Sequence, residues 1–158
     1  MKSLSFKYSL VLATLLAAWS CNVNKMEPYD HPFVVFTYTN SSSTSIDELA
    51  QTDAQYYIHL SSRRLDTPVS VTVSAIPGNG LQEGVDYEFI SQGGTVTFYP
   101  RIYDMPFRIR WLANEIDETK DNTLTLRLES SDLEELSLGM PGPDEVNRTL
   151  RITKYKLD

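Results

Sequence analysis

Gly84 to Leu128 reads GVDYEFISQGGTVTFYPRIYDMPFRIRWLANEIDETKDNTLTLRL, three runs of alternating polarity separated by turn-forming residues. Val96 and Phe98 fall on one side, with Thr95, Thr97 and Tyr99 on the other. Phe107, Ile109 and Trp111 alternate with Arg108 and Arg110, and Leu124, Leu126 and Leu128 alternate with Thr125, Arg127 and Glu129. Successive side chains of a strand point to opposite faces, so a period of two marks strands with one face on a core and one in water. Gly93-Gly94, Pro100 and the acidic run after Trp111 interrupt the alternation where the chain must turn.

The same signal extends outward from this stretch. Upstream, Phe33–Tyr38 (FVVFTY) is a β-branched and aromatic run. In Gln55–Leu60, Tyr56, Ile58 and Leu60 share one face and Tyr57 and His59 the other. Val69, Val71, Val73 and Ala75 alternate with Ser70, Thr72 and Ser74, and Pro77-Gly78-Asn79-Gly80 ends that run. Residues 40–53 are Ser/Thr-rich, and Ile46–Ala50 reads as one helical turn or a loose crossover. Downstream, Ser130–Asp144 is a longer connection whose Leu133, Leu136 and Leu138 can pack beneath it, and Thr149–Thr153 supplies a last strand. About seven strands with frequent turns and almost no helical period predict an all-β, immunoglobulin-like antiparallel β-sandwich. Trp111, in mid-strand, is expected at its centre.

The hydrophobic and charged fractions, 41% and 22%, fit a globular domain, and 158 residues suffice for one core. The net charge is −7 at pH 7, which disfavours nucleic acid and anionic membrane surfaces, because both demand clustered Lys and Arg. Lys2 and Lys7 precede an apolar run from Tyr8 to Trp19 of about a dozen residues, too short for the roughly 20 that span a bilayer. Residues 1–20 therefore read as a signal peptide, residues 21–32 as a polar, Pro-containing tether and residues 33–158 as the sandwich. Cys21, the single cysteine, follows Ala18-Trp19-Ser20, which resembles a bacterial lipobox with Cys21 as the acylated residue. That implies an outer-membrane protein held by its N-terminal lipid. Loss of residues 1–20 removes two of 14 basic and none of 21 acidic residues, leaving a net charge of −9.

Gly84-Val85-Asp86-Tyr87 followed by Gly94-Thr95-Val96-Thr97-Phe98-Tyr99-Pro100 resembles the Calx-β pattern G-x-D-Y, then G-T-h-x-F-x-P. An alternating strand, an acidic loop and an amphipathic strand then follow in the family's order, across roughly Thr67 to Thr153. Immunoglobulin-like lipoproteins of the Bacteroidetes, many of unknown function, share such patterns. The resemblance implies a secreted, surface-attached sandwich, and in some members calcium bound by loop carboxylates. Calcium needs six to eight oxygens. Here Leu112 and Ala113 stand where the family has paired Asp, and Lys154-Tyr155-Lys156 replaces the Asp run after the last strand. Glu115, Asp117, Glu118 and Asp121 remain as candidate metal ligands, with solvated turn carboxylates the simpler account and calcium an open alternative.

No catalytic constellation is legible, and no enzymatic activity is expected. The two histidines, His31 and His59, lack a nearby His or Cys in sequence for zinc or a Cys–His dyad. No G-x-S-x-G elbow or phosphate-cradling loop occurs, and Glu134-Glu135 reads as surface charge rather than a glycosidase pair. The expectation is a non-catalytic surface module that binds an extracellular ligand such as a glycan. Tyr57, Tyr99 and Tyr103 are its candidate stacking residues, and Arg108 and Arg110 its hydrogen-bond donors. The alternatives are an adhesion or assembly subunit that meets another outer-membrane protein through a sheet edge or the serine-rich residues 40–45, and a calcium-dependent module.

Overall fold

A computed structural model of the chain describes residues 31–37 and 41–157. The signal peptide, Cys21, nearly all of the tether and Tyr38 lie outside the described residues. Ten strands form: β1 Phe33–Phe36, β2 Ser43–Asp47, β3 Thr52–Ser61, β4 Val69–Pro77, β5 Tyr87–Phe89, β6 Thr95–Phe98, β7 Asp104–Trp111, β8 Thr123–Ser131, β9 Ser137–Leu138 and β10 Thr149–Tyr155. They make two five-stranded sheets, one ordered β5-β7-β3-β1-β9 and the other β2-β10-β8-β4-β6. The architecture is the β-sandwich that the alternation predicts.

The inward sets coincide with the alternating residues. Tyr56, Ile58, Leu60, Phe107, Ile109 and Trp111 from the first sheet meet Val71, Val96, Phe98, Leu124, Leu126, Leu128, Leu150 and Ile152 from the second in one buried cluster. Such side chains contribute about 1.5–3 kcal/mol each on burial, so the core forms without a disulfide. Trp111 is fully buried, as expected. Its indole Nε1 donates to the Tyr56 hydroxyl at 3.0 Å, so the one polar atom of the ring is satisfied inside the core. Tyr87 packs against Trp111 with ring centroids 6.1 Å apart, and Phe89 meets Tyr87 edge-on at 5.4 Å.

The three strands beyond the expected seven are β2, β5 and β9, and each lies at a sheet edge. Ser43–Asp47 runs parallel to β10, from Ser43 beside Arg151 to Asp47 beside Tyr155, where a helical turn or crossover was expected from Ile46–Ala50. Leu49, just after this strand, is exposed. An edge strand is held by main-chain bonds to one neighbour, so its side chains need not alternate. β9 likewise pairs in parallel with β1 over two residues. Leu136 joins the core from the 130–144 connection, and Leu133 and Leu138 pack against it.

Glycine is required at close approaches of the backbone, two of which flank β4 and β6. Gly94 has φ +65° where the chain enters β6, and a Cβ there would stand 2.6 Å from the Val73 carbonyl oxygen. A Cβ on Gly78, in the turn after β4, would stand 2.2 Å from the Asp121 carbonyl oxygen. That turn is tied to the start of β8 by Gly78 N–H donating to Thr123 O at 2.7 Å and Gly80 N–H to Asp121 O at 2.9 Å.

Candidate functional site

Two regions gather the residues singled out by the sequence: the outer face of the β5-β7-β3-β1-β9 sheet and the loops at one end of the sandwich. The face is made by the antiparallel β3–β7 register. It sets Asp53 against Arg110, Gln55 against Arg108, Tyr57 against Pro106 and His59 against Asp104. Because Tyr56, Ile58, Phe107 and Ile109 point into the core, all eight of these alternate residues point outward. Tyr57 is 45% exposed and its hydroxyl donates to Gln55 Oε1 at 3.2 Å.

Charge on this face is mostly paired. Arg110 Nε donates to Asp53 Oδ1 at 2.8 Å and Nη2 to Asp53 Oδ2 at 3.3 Å, a two-pronged contact. The hydrogen bond from Arg110 holds the Asp53 carboxyl below its usual pKa despite some desolvation, aided by the charges of Arg110 and Arg108. Arg110 is raised in return, first by that hydrogen bond, with Glu88 on the neighbouring strand adding to it. His59 Nδ1 meets Asp104 Oδ1 at 2.8 Å. Arg108 differs. It is half-buried, its Nε is buried, and that nitrogen has no hydrogen-bond partner among the described residues.

The structure thus brings together Tyr57, Arg108 and Arg110 but not all three tyrosines. Tyr99 is exposed, as expected, on the connection from β6 to β7, where its carbonyl accepts from Ile102 N–H at 2.9 Å. Tyr103 is half-buried and its carbonyl accepts from Leu60 N–H at 2.7 Å. One residue before Asp104, Tyr103 has the opposite parity from the outer row and sits beside a core position. Both tyrosines lie towards the Leu60 end of β3, away from the acidic loops near Thr52 and Trp111.

At that other end, the four candidate metal ligands are exposed turn residues. Asp117 Oδ1 accepts from Thr119 Oγ1 at 2.6 Å and from Thr119 N–H at 3.1 Å, and its other oxygen faces Lys120 Nζ at 3.4 Å. The Thr119 hydroxyl, followed by its amide, lowers the Asp117 pKa. Asp121 Oδ1 accepts from Thr123 Oγ1 at 2.6 Å and Thr123 N–H at 3.2 Å. These carboxylates close turns, each bonded to the residue two further on. Among the described residues, no group of three or more His, Cys, Asp or Glu is placed to share a metal ion.

Behind those turns lies a buried polar cluster that sequence reasoning did not find. Lys154 Nζ, fully enclosed, donates to Asp86 Oδ1 at 2.9 Å and to the Leu112 carbonyl at 3.1 Å. Asn114 Nδ2 also donates to Asp86 Oδ1 at 3.0 Å, and Gln82 N–H to Oδ2 at 2.9 Å. Burial pushes the Asp86 carboxyl up, but the hydrogen bonds from Asn114, Lys154 and the Gln82 amide, with the lysine's charge, leave its pKa below the usual value. Glu48, also buried, accepts from Ile116 N–H at 2.9 Å through its carboxylate and from Asn114 N–H at 3.1 Å through its carbonyl. The sequence did hold one signal. Lys154 is in phase with Leu150 and Ile152 on the inward face of the last strand. A lysine in that phase needs a buried anion, and Asp86 of the Gly84–Tyr87 motif provides it.

Compared with known proteins, the chain matches no family model and no curated relative.

Proposed function

We propose that this chain is a non-catalytic, lipid-anchored surface module that binds saccharide on the outer face of its β5-β7-β3-β1-β9 sheet. The observation that carries the reading is the β3–β7 register, which lays exposed Tyr57 beside Gln55, Arg108 and Arg110 on one continuous face. A sugar ring presents C–H groups that stack on a flat aromatic face, and its hydroxyls are met by amide and guanidinium donors. In this reading Cys21 carries the lipid that holds the domain at the outer membrane, and the Gly84–Tyr87 and Gly94–Pro100 motifs place the domain with Calx-β-like lipoproteins of the Bacteroidetes type.

The ammonium of Lys154 takes Asp86 and the Leu112 carbonyl, oxygens that a divalent cation at this end would otherwise use, which favours saccharide over calcium. The chain, purified in detergent, should be retarded in affinity gels containing a plant or microbial polysaccharide, and Tyr57→Ala should abolish the retardation. Migration unchanged by every polysaccharide would overturn the reading. Melting temperature measured with millimolar calcium and with chelator tests the calcium alternative, and saccharide binding alone predicts no difference.

A second reading rests on β2. Ser43–Asp47 is an edge strand with β10 on one side only among the described residues, so its other edge is able to accept a strand from another outer-membrane protein. In that case a stoichiometric partner would co-purify with the chain, and proline at Ser45, whose N–H points away from β10, would release it.

A further inference from the structure

The ionic arrangement of the same face narrows the saccharide to an acidic one, an inference that rests on the saccharide-binding reading. Three cationic or potentially cationic side chains point outward from β3 and β7. Arg110 is occupied by Asp53 and flanked by Glu88, which faces it across the β5–β7 pairing. His59 is occupied by Asp104. Arg108 is the only one of the three without an ion-pair or hydrogen-bond partner for its side chain among the described residues, and its Nε is already withdrawn from water. A guanidinium so placed has given up part of its hydration without gaining a hydrogen-bonded counter-charge, since Asp53, the carboxylate whose field it feels, is held by Arg110. It is therefore poised for a planar two-oxygen anion, which its paired N–H groups match.

The neighbours of Arg108 define what carries that anion. Directly across the β3–β7 pairing is Gln55, whose carbonyl oxygen is taken by the Tyr57 hydroxyl, leaving the amide NH2 as a donor. Tyr57 is the next outward residue along β3, roughly 7 Å on at strand spacing. An aromatic plane, an amide donor and a free guanidinium thus lie within about one sugar unit of each other. We propose that Arg108 binds the carboxylate of a uronic-acid residue, with the sugar ring on Tyr57 and a ring hydroxyl on Gln55. Asp53, Glu88 and Asp104 on the same face, and the chain's net charge of −7, oppose densely charged polyanions. The site accordingly selects one carboxylate in the right place rather than negative charge in general.

The test uses the full chain in detergent. Affinity electrophoresis is run in polygalacturonate, alginate and hyaluronan, in fully methyl-esterified polygalacturonate, and in a neutral glucan. The expected result is retardation by at least one of the acidic polymers. For polygalacturonate, loss of the charge on esterification should weaken binding about 10- to 100-fold, the worth of one charge-assisted contact. Arg108→Gln should weaken acidic binding by a similar factor, Arg108→Lys should recover part of it, and Arg110→Gln should change it less than Arg108→Gln does. Circular dichroism and melting of each variant show that the fold is retained. Tyr57-dependent binding of neutral glucan, without preference for acidic polymers, would overturn the uronate inference and leave the saccharide reading standing. Binding of acidic polymers that is indifferent to Arg108→Gln would also overturn the inference. Absence of binding to every polymer would overturn both.

Discussion

Replacing Lys154 with Met tests the least expected feature of the structure, the charge pair buried between the last strand and the Gly84–Tyr87 motif. Methionine roughly preserves the unbranched volume of the lysine stem and removes only the ammonium. Asp86 then keeps the Asn114 amide and the Gln82 N–H but loses its single counter-charge, while the Leu112 carbonyl loses its donor. Breaking a buried ion pair from one side costs about 3–5 kcal/mol, because the surviving charge stays desolvated. A domain of this size changes its melting temperature by about 3–5 °C per kcal/mol, so Lys154→Met should melt roughly 10–20 °C below the parent protein.

The pH dependence gives the same prediction a sign. In the parent protein the folded-state pKa of Asp86 lies below its ordinary 3.8, so the carboxylate's contribution is fully present above that value and is lost as pH falls through the folded pKa. In Lys154→Met the carboxyl is held by neutral donors alone and its folded pKa rises. The stability gap between parent and variant should therefore be widest near pH 7 and narrow towards pH 3. The assay is urea denaturation followed by tryptophan fluorescence at several pH values, with Asp86→Asn and the double variant completing a cycle. The double variant should be less destabilised than the sum of the two singles by more than 1 kcal/mol, a coupling expected of residues in contact. Coupling within about 0.5 kcal/mol of zero, or a Lys154→Met melting point within 2 °C of the parent (less than about 1 kcal/mol), would refute the pair as a structural element.

Tyr56→Phe removes the acceptor of a buried indole N–H, and chemical denaturation should show a loss of about 1–3 kcal/mol. Gly94→Ala introduces a Cβ at φ +65° and 2.6 Å from a carbonyl oxygen, so it should cost more than about 1 kcal/mol by the same measurement. Tyr57→Ala, on the open face, should change stability by no more than about 0.5 kcal/mol while abolishing retardation in a polysaccharide gel. Arg110→Gln releases Asp53 and so should move the Asp53 carboxyl pKa upward, a direction that NMR titration of the carboxyl carbon can check.

Legibility in the sequence followed the physics of burial. Core strands bury one face, so their side chains must alternate, and β3, β4, β7, β8 and β10 were visible for that reason. The edge strands β2 and β9 answer to main-chain bonding instead. Ser43–Asp47 carries no alternation because little of it is buried, and its register is fixed by β10. The same difference explains the sites. Tyr57, Arg108 and Arg110 could be assigned to an outer face from parity alone, yet parity could not show that Asp53 takes Arg110 and leaves Arg108 unoccupied, since the partner comes from a strand some 57 residues away. Tyr103 stands in the connection before β7, where no strand parity is available to place it, and it is half-buried. In the sequence Lys154 stands as part of the Lys154-Tyr155-Lys156 run after the last strand. Its phase with Leu150 and Ile152 instead carries its ammonium into the sandwich, where it supplies the positive charge at the end that holds Asp86. The Gly84–Tyr87 motif thus carries a fixed internal cation against its Asp86. On the outer face of β3 and β7, by contrast, Asp53 takes Arg110 and leaves Arg108 Nε without a hydrogen-bond partner among the described residues.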